Sequence, residues 1–442
     1  MLNVPDVKYA RTGGVAVAYQ IVGEGPTDLV FVTFLSNLFS LWQFEPLRRA
    51  FERLATTTRL LVVNPRGMGL SDRPRSVTLE GWMDDIRAVL AAEEIERVSL
   101  FGTADSANAC LLLAATYPEQ VDRLVLFTPF ARVRRSDEYP AGISEEEAAA
   151  IVRGRRERWG DRDYLLGLAP QINPQWAGDE TYLDWFVLNA RLAASPTAAT
   201  EFWRMQIDTE ITDVLGSIRV PTLVLHREAG RKEAEYIAQR LAGATLVELP
   251  GVGMSIADDA IVDAVLAFVE GESPRLVPDT VLATLLFTDL VGSTDTTATL
   301  GDRAWRGVLE RHHAAVQREV ARFRGSVVDT AGDGFFCRFD GPARAIACAQ
   351  EIVAAAPELG LAVRAGLHTG ECEVALDKLV GLSVVIGARV AAEAAAGEVL
   401  VSGTVKDLVA GSGLSFEDRG RRTLKGVPGF WQLYAVADGA GA

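Results

Sequence analysis

Two stretches in the C-terminal half of the chain each set an aspartate beside an apolar, β-branched run. One, TLLFTDLVGSTD, begins at Thr284 and contains Asp289; the other, VVDTAGDGFF, begins at Val327 and contains Asp333. Continuous apolar residues predict buried strands, and the glycines around Asp333 favour a hairpin turn because glycine adopts positive φ at little cost. Both aspartates are therefore expected at strand ends, on neighbouring strands of one sheet.

Small residues and a glycine follow Asp289, so backbone amides there can approach an anion. Two carboxylates at adjacent strand ends suit two Mg²⁺ or Mn²⁺ ions and a nucleoside triphosphate. One aspartate after a strand would be weak evidence, because turns and caps also use aspartate. Two of them in these contexts are stronger evidence for a metal-dependent nucleotide site.

The C-terminal region resembles the catalytic domain of class III nucleotide cyclases, of the kind common in actinobacteria. The motifs FTDLVGST, TAGDGF, RAGLHTGE, GLSVVIGARVAAEA and LKGVPG occur here in the family order. In that family the ribose 3′-hydroxyl attacks the α-phosphate and pyrophosphate leaves. A pair of metal ions lowers the pKa of the hydroxyl and neutralises charge on the phosphate.

The resemblance implies a role for each matching residue. Asp289 and Asp333 match the two metal-binding carboxylates, and the Leu290 carbonyl is a further candidate ligand. Arg389 matches the arginine that stabilises the transition state, with a helix-surface arginine as the alternative. Lys425 matches a contact to the triphosphate, with a solvated lysine as the alternative. Sites in this family combine metals held by one chain with the arginine of another, so a homodimer with two equivalent sites is implied.

Three positions depart from the adenylate cyclase pattern. Asp329 stands where the family has a base-reading lysine, and Lys378 (or Asp377, if the match shifts by one residue) where it has a base-reading aspartate. Val385 replaces an asparagine that positions the ribose or the transition state, and valine cannot hydrogen-bond, so a rate lower by ~10²-fold is expected. An acidic residue at 329 resembles guanylate cyclases. ATP is the first expectation and GTP stays open; alternatively, Asp329 and Lys378 pair with each other and ignore the base.

Upstream, apolar runs alternate with helical patterns, which predicts a mostly parallel sheet covered on both faces. The run Val15–Ile21 alternates and predicts an antiparallel edge strand. A helical stretch at about residues 130–217 interrupts the alternation. Together with NPRGMGLSD from Asn64 and VPTLVLH from Val220, this order resembles an α/β-hydrolase fold with a helical cap.

The hydrolase chemistry is missing at three positions. The family nucleophile lies at the centre of a G-x-S-x-G elbow, and here GTADS puts Ala104 there. The acid position is Gly230 and the base position is Met254, and no histidine occurs between residues 227 and 311. We expect Ser106 to cap the following helix. A hydrolase fold without a triad predicts a pocket that binds an apolar small molecule without cleaving it.

A chain of 442 residues is too long to fold around a single hydrophobic core. We expect an α/β-hydrolase-like domain at 1–272, a connector at 273–280 and an α+β cyclase domain at 281–438. The net charge of −15 disfavours nonspecific nucleic-acid binding, and no apolar run reaches the ~18 residues of a membrane span. The four cysteines lack paired spacing and are expected as reduced core residues of a cytoplasmic protein. The His312–His313 pair is expected to be solvated helix surface.

Three functions are compatible with this sequence. The first is a purine nucleotide cyclase, slow in turnover, with an N-terminal regulatory or ligand-sensing domain. The second is a pseudocyclase that binds nucleotides or serves as a scaffold, with neither half catalytic. The third, an esterase with an appended cyclase, is disfavoured by Ala104, Gly230 and Met254.

Overall fold

The computed structural model describes residues 4–271, 280–293, 301–375 and 378–437, apart from 137, 138, 140 and 141. The chain divides into two compact units, Met1–Pro278 and Asp279–Ala442. Most of the expected connector, residues 273–279, lies outside the described residues, and residue 280 begins a strand.

A mostly parallel sheet organises the N-terminal unit. Its strands are β1 (Lys8–Thr12), β2 (Val15–Val22), β3 (Thr27–Val32), β4 (Thr58–Val63), β5 (Val98–Thr103), β6 (Val121–Phe127), β7 (Thr222–His226) and β8 (Thr245–Glu248). Their order is β1-β2-β4-β3-β5-β6-β7-β8, with β1 and β2 antiparallel to their neighbours and the other pairs parallel. The alternating run predicted as an edge strand is β2, and that prediction was wrong, because β1 pairs along its outer side.

Helices cover this sheet and form the insertion between β6 and β7. They are α1 (Leu38–Leu41), α2 (Glu45–Leu54), α3 (Leu79–Ala92), α4 (Ala107–Thr116), α5 (Glu145–Arg158), α6 (Arg162–Ile172), α7 (Glu180–Ala193), α8 (Pro196–Asp208), α9 (Thr212–Leu215), α10 (Arg231–Ala238) and α11 (Asp259–Glu270). The core joins them to the sheet: the Phe31 ring centroid lies 5.6 Å from that of Phe51 on α2 and 5.2 Å from that of Phe101 on β5. The insertion, α5–α9, forms the predicted cap.

A second, mixed sheet organises the C-terminal unit. Its strands are β9 (Thr280–Leu290), β10 (Ser326–Ala331), β11 (Gly334–Phe339), β12 (Val363–Ala375), β13 (Lys378–Val380), β14 (Val399–Ser402), β15 (Phe416–Arg422) and β16 (Trp431–Val436). The order is β10-β11-β9-β12-β14-β16-β15, and β13 pairs with β12. The helices are α12 (Asp302–Arg322), α13 (Pro342–Ala355), α14 (Leu382–Glu393) and α15 (Gly403–Leu408). Because β9 extends to Leu290, Asp289 lies inside the strand rather than just after it.

Burial confirms one side-chain expectation and overturns another. All four cysteines are buried and unpaired. The His312 side chain is 3% exposed, and His313 meets the Phe335 ring edge-on with centroids 4.9 Å apart. The expectation of solvated histidines was wrong, because this face of α12 packs on β11. None of the helices among the described residues is long and apolar enough to cross a membrane.

Burial of His368 predicts a pH-dependent stability. Its Nδ1 lies 2.9 Å from the Ser402 hydroxyl, and burial lowers its pKa from 6.5 to about 4. Below about pH 6.5 the unfolded chain protonates this histidine while the folded chain does not, so the free energy of unfolding falls as the pH drops toward 4. Between pH 7 and pH 5 we expect wild type to lose about 2 kcal/mol more than His368→Asn in urea unfolding. Equal losses in both proteins would contradict this assignment.

Candidate active site

The pairing register brings Asp289 and Asp333 to the same end of neighbouring strands. On β9 and β11, Thr288 lies opposite Phe335. Asp289 comes directly after Thr288, and Asp333 lies two residues before Phe335, in the two-residue turn that closes β10 and β11. Gly332 in that turn has a φ of 65°, which a residue with a side chain rarely adopts. The hairpin predicted from the sequence is therefore present.

Arg364 is a site residue that the sequence reasoning missed. It lies opposite Asp289 on β12, and its Nη2 and Nε donate to the Asp289 Oδ2 at 2.5 and 3.0 Å. Its Nη1 donates to the Ala392 carbonyl at 3.1 Å, in the last turn of α14. Arg364 thus fixes the orientation of Asp289 from the C-terminal end of a helix, where a cation is favourable. The RAGLHTGE motif contains this residue, but only the β9–β12 register shows which carboxylate it contacts.

Close packing of α14 on the sheet sets the position of Arg389. A Cβ at Gly387 would lie 2.7 Å from the Phe287 ring, and one at Gly366 would lie 2.1 Å from the Ala391 nitrogen, so only glycines allow this approach. On the same helix, the Arg389 Nε donates to the Lys425 carbonyl at 3.0 Å. The structure therefore brings Arg389, predicted to stabilise the transition state, to the backbone of Lys425, predicted to contact the triphosphate.

The three positions that differ from the adenylate cyclase pattern lie on different elements. Asp329 is exposed on β10, and its Oδ1 accepts the Thr330 amide at 2.9 Å. Lys378 begins β13, and its side chain, like the whole of Asp377, lies outside the described residues. The Val385 side chain is 39% exposed on α14. The contact between Asp329 and Lys378 therefore stays untested.

The donor chemistry around Asp289 and Asp333 fits a hard cation. Both side chains offer carboxylate oxygens, which Mg²⁺ and Mn²⁺ prefer. Among the described residues there is no cluster of three or more His, Cys, Asp or Glu side chains that could hold a metal ion. Mg²⁺ is commonly held by one or two carboxylates, with waters and substrate phosphates completing its coordination. Two aspartates fit that pattern.

The N-terminal unit keeps a strained elbow after β5. Ala104 has a φ of 42°, in the left-handed region that residues with a Cβ avoid. A Cβ at Gly102 would lie 2.8 Å from the Ala107 Cα, so the turn requires glycine there. Ser106 is buried, and its Oγ accepts the Thr103 amide and donates to the Thr103 carbonyl, both at 3.0 Å. The expectation that its side chain caps the following helix was wrong, because it bonds back across the elbow instead.

Two adjoining cavities meet beside this elbow. One of about 690 Å³ is lined by Gly230, Met254 and Asp105, and one of about 220 Å³ by Met254, Asp105 and Trp203. The structure therefore brings Gly230 and Met254, two of the positions predicted to have lost a triad residue, to the same cavity as Asp105, which follows the third such position, Ala104. Burial raises the pKa of Asp105 to about 7, and the opposing effect of Arg155 only partly offsets this rise.

Comparison with known proteins identifies the C-terminal unit. The family model described as the adenylate and guanylate cyclase catalytic domain matches residues 278–437. These residues form a class III cyclase domain. Among solved structures, the adenylyl cyclase CyaB from Pseudomonas aeruginosa is 21% identical, with a TM-score of 0.35 over 36% of this chain and 95% of that chain.

The N-terminal unit matches α/β hydrolases. The AB hydrolase superfamily protein YisY of Bacillus subtilis is 29% identical over 179 residues, which span 40% of this chain and 64% of that protein, just under two thirds of its length. An esterase from Exiguobacterium antarcticum superposes with a TM-score of 0.54 and 20% identity, over 60% of this chain and 99% of that chain. The N-terminal unit thus has the α/β-hydrolase fold, and these matches do not by themselves assign it an activity.

A serine introduced at the elbow of the hydrolase-fold unit should not give it esterase activity. In Ala104→Ser we expect hydrolysis of p-nitrophenyl acetate within about twofold of wild type, because catalysis by serine needs a base to take its proton. Met254 is the residue that the sequence predicts at the base position, and methionine cannot take a proton. His226, the one histidine of this unit's sequence, is buried at the end of β7 with its Nδ1 3.1 Å from the Arg227 carbonyl. A burst of p-nitrophenol from the variant would reveal an unrecognised base.

Proposed function

We propose that this protein is a homodimeric purine nucleotide cyclase that converts ATP, or GTP, to the 3′,5′-cyclic nucleotide and pyrophosphate. Its hydrolase-fold domain serves as a non-hydrolytic, ligand-sensing module. The observation that carries the proposal is the strand register, which has Asp289 and Asp333 at one end of adjacent strands within a domain that matches the cyclase family.

Each residue has a distinct part in the proposed mechanism. Asp289 and Asp333 would hold two Mg²⁺ or Mn²⁺ ions, with the Leu290 carbonyl as a further ligand, and bound metal would lower the pKa of the ribose 3′-hydroxyl and neutralise phosphate charge. Arg364 keeps Asp289 oriented. Arg389 donates to the charge that develops at the α-phosphate in the transition state.

Remaining contacts set the substrate and the rate. Lys425 contacts the triphosphate as a point charge. Asp329 offers an acceptor to the N1–H and N2–H₂ donors of guanine, and Lys378 offers a donor to its O6. The proposal therefore includes GTP as well as ATP as a substrate. Because Val385 offers no hydrogen bond, turnover is slow. The same missing hydrogen bond supports the second candidate function, a nucleotide-binding pseudocyclase.

Removing either proposed metal-binding carboxylate should abolish turnover without unfolding the domain. We expect Asp289→Ala and Asp333→Ala to lower formation of cyclic nucleotide from ATP or GTP with Mn²⁺ by at least ~10³-fold, because each removes a metal ligand. The control is Glu417→Ala on β15, at the opposite edge of the sheet, whose carboxylate pairs with Arg419. Near-wild-type activity in either aspartate variant would disprove the two-metal assignment, and no product from wild type would favour the pseudocyclase.

Exposed apolar side chains support a dimer that uses this face of the domain. Val380, Leu382 and Val385 are 38%, 53% and 39% exposed on β13 and α14, next to Arg389 in sequence. Apolar residues grouped in this way are typical of a surface that a partner covers.

Mixing two inactive variants should restore activity if sites are shared between chains. In an equimolar mixture of Asp333→Ala and Arg389→Ala that exchanges chains freely, half of the dimers combine both chains, and each of these has one site with an intact metal ligand and an intact arginine. We expect about a quarter of wild-type activity from the mixture. Activity no higher than that of the separate variants would show that each chain builds its own site.

A further inference from the structure

Three polar atoms around the smaller N-terminal cavity are buried without a hydrogen-bond partner among the described residues. They are Asp105 Oδ1, Arg155 Nε and Trp203 Nε1, and all three side chains line that cavity. Asp105 is 5% exposed and Arg155 is 7% exposed. Buried polar groups in folded proteins are almost always paired, because an unpaired one loses its bonds to water without replacement. The three atoms of this cluster therefore lack the hydrogen-bond partners that buried polar groups normally have.

The cluster is held rigidly by its surroundings. The Gln206 Nε2 donates to the Asp105 backbone carbonyl at 3.0 Å, so α8 of the cap holds the loop that carries this aspartate. The Arg155 Nη1 donates to the Tyr164 hydroxyl at 2.5 Å, and its guanidinium carbon lies 5.1 Å from the Trp203 ring centroid. Since these contacts use other atoms, they leave Asp105 Oδ1, Arg155 Nε and Trp203 Nε1 without a hydrogen-bond partner among the described residues.

The charges of Asp105 and Arg155 and the apolar wall of the smaller cavity restrict the chemical class of its ligand. Asp105 comes from the sheet side and Arg155 from the cap, and Arg155 stabilises the ionised carboxylate. Together they carry no net charge when Asp105 is ionised. The rest of the wall is largely apolar, with Phe31, Leu41 and Phe186 among the lining residues. A charged ligand would unbalance the pair in a buried site, whereas a neutral one would not.

We propose that the hydrolase-fold domain binds an uncharged amphiphile whose head carries a hydrogen-bond donor beside an acceptor, as an aliphatic primary amide does. The head donates to Asp105 Oδ1 and accepts from Trp203 Nε1 and Arg155 Nε. The apolar tail occupies the cavity, about 220 Å³ in volume, and extends toward the adjoining one. This inference rests on the proposed non-hydrolytic role of the domain.

A matched series of probes with eight-carbon chains tests the chemical class of the ligand. Octanamide, octanoate, octylamine and methyl octanoate are titrated into the full chain by calorimetry at pH 8. We expect octanamide to bind at least ~10-fold more tightly than the two charged probes, because these leave a buried charge unbalanced. Methyl octanoate accepts but cannot donate, so it should bind about fivefold more weakly than octanamide.

Two tryptophans in the same cavity provide a variant and its control. Trp203→Phe removes an unpaired N–H and should weaken octanamide binding about fivefold. Trp185→Phe removes an N–H that already donates to the Ser40 carbonyl at 2.6 Å, so affinity should stay within about twofold. Equal losses in both variants would overturn the assignment.

Changing the charge of the cluster should change the preferred probe. Asp105→Asn leaves Arg155 unbalanced, so octanoate should overtake octanamide. Thermal melts identify any variant that does not fold. An unchanged order of probes in folded Asp105→Asn, or no binding of any probe to wild type, overturns the proposal. Release of octanoate from octanamide would instead refute the non-hydrolytic role while leaving the ligand class standing.

Discussion

The antiparallel pairing of β9 with β11 on one side and β12 on the other is the constraint on which the cyclase domain depends. A strand pair allows one register wherever one face is buried, because a shift by one residue would turn every core side chain to the opposite face. On β9, Leu286 and Leu290 belong to one core, while Leu285 and Phe287 face α14. Asp289 shares the second face, and this parity is what orients its carboxylate toward Arg364.

The packing of α14 on β9 and β12 fixes the proposed phosphate-binding residues relative to the same strand register. Gly366 and Gly387 lie at the contact, and a methyl group at either would push the helix away from the sheet. The helix that carries Arg389 therefore keeps a fixed distance from the strand that carries Asp289. Precise positioning of charged groups is what electrostatic stabilisation of a transition state requires.

The hydrolase-fold domain shows that backbone geometry and chemistry can separate. Its elbow has the strained φ of Ala104 and the tight approach at Gly102, although the alanine side chain carries no nucleophilic atom. Strain of this kind persists where the surrounding structure determines it, and the packing of β5 against α4 does so here. The two cavities and the unpaired polar atoms beside the smaller one suit the proposed binding role of this domain.

The sequence alone determined the two fold classes, the cap and the hairpin around Asp333, because each rests on local periodicity, turn chemistry or a short motif. It did not determine β1, whose five residues form no apolar run, nor the burial of His312, which depends on the face of α12 that meets β11. The Arg364–Asp289 pair lies 75 positions apart in the chain. The Asp105–Arg155–Trp203 cluster joins the sheet to the cap. Contacts of both kinds come from strand register and helix packing, which only the tertiary structure fixes.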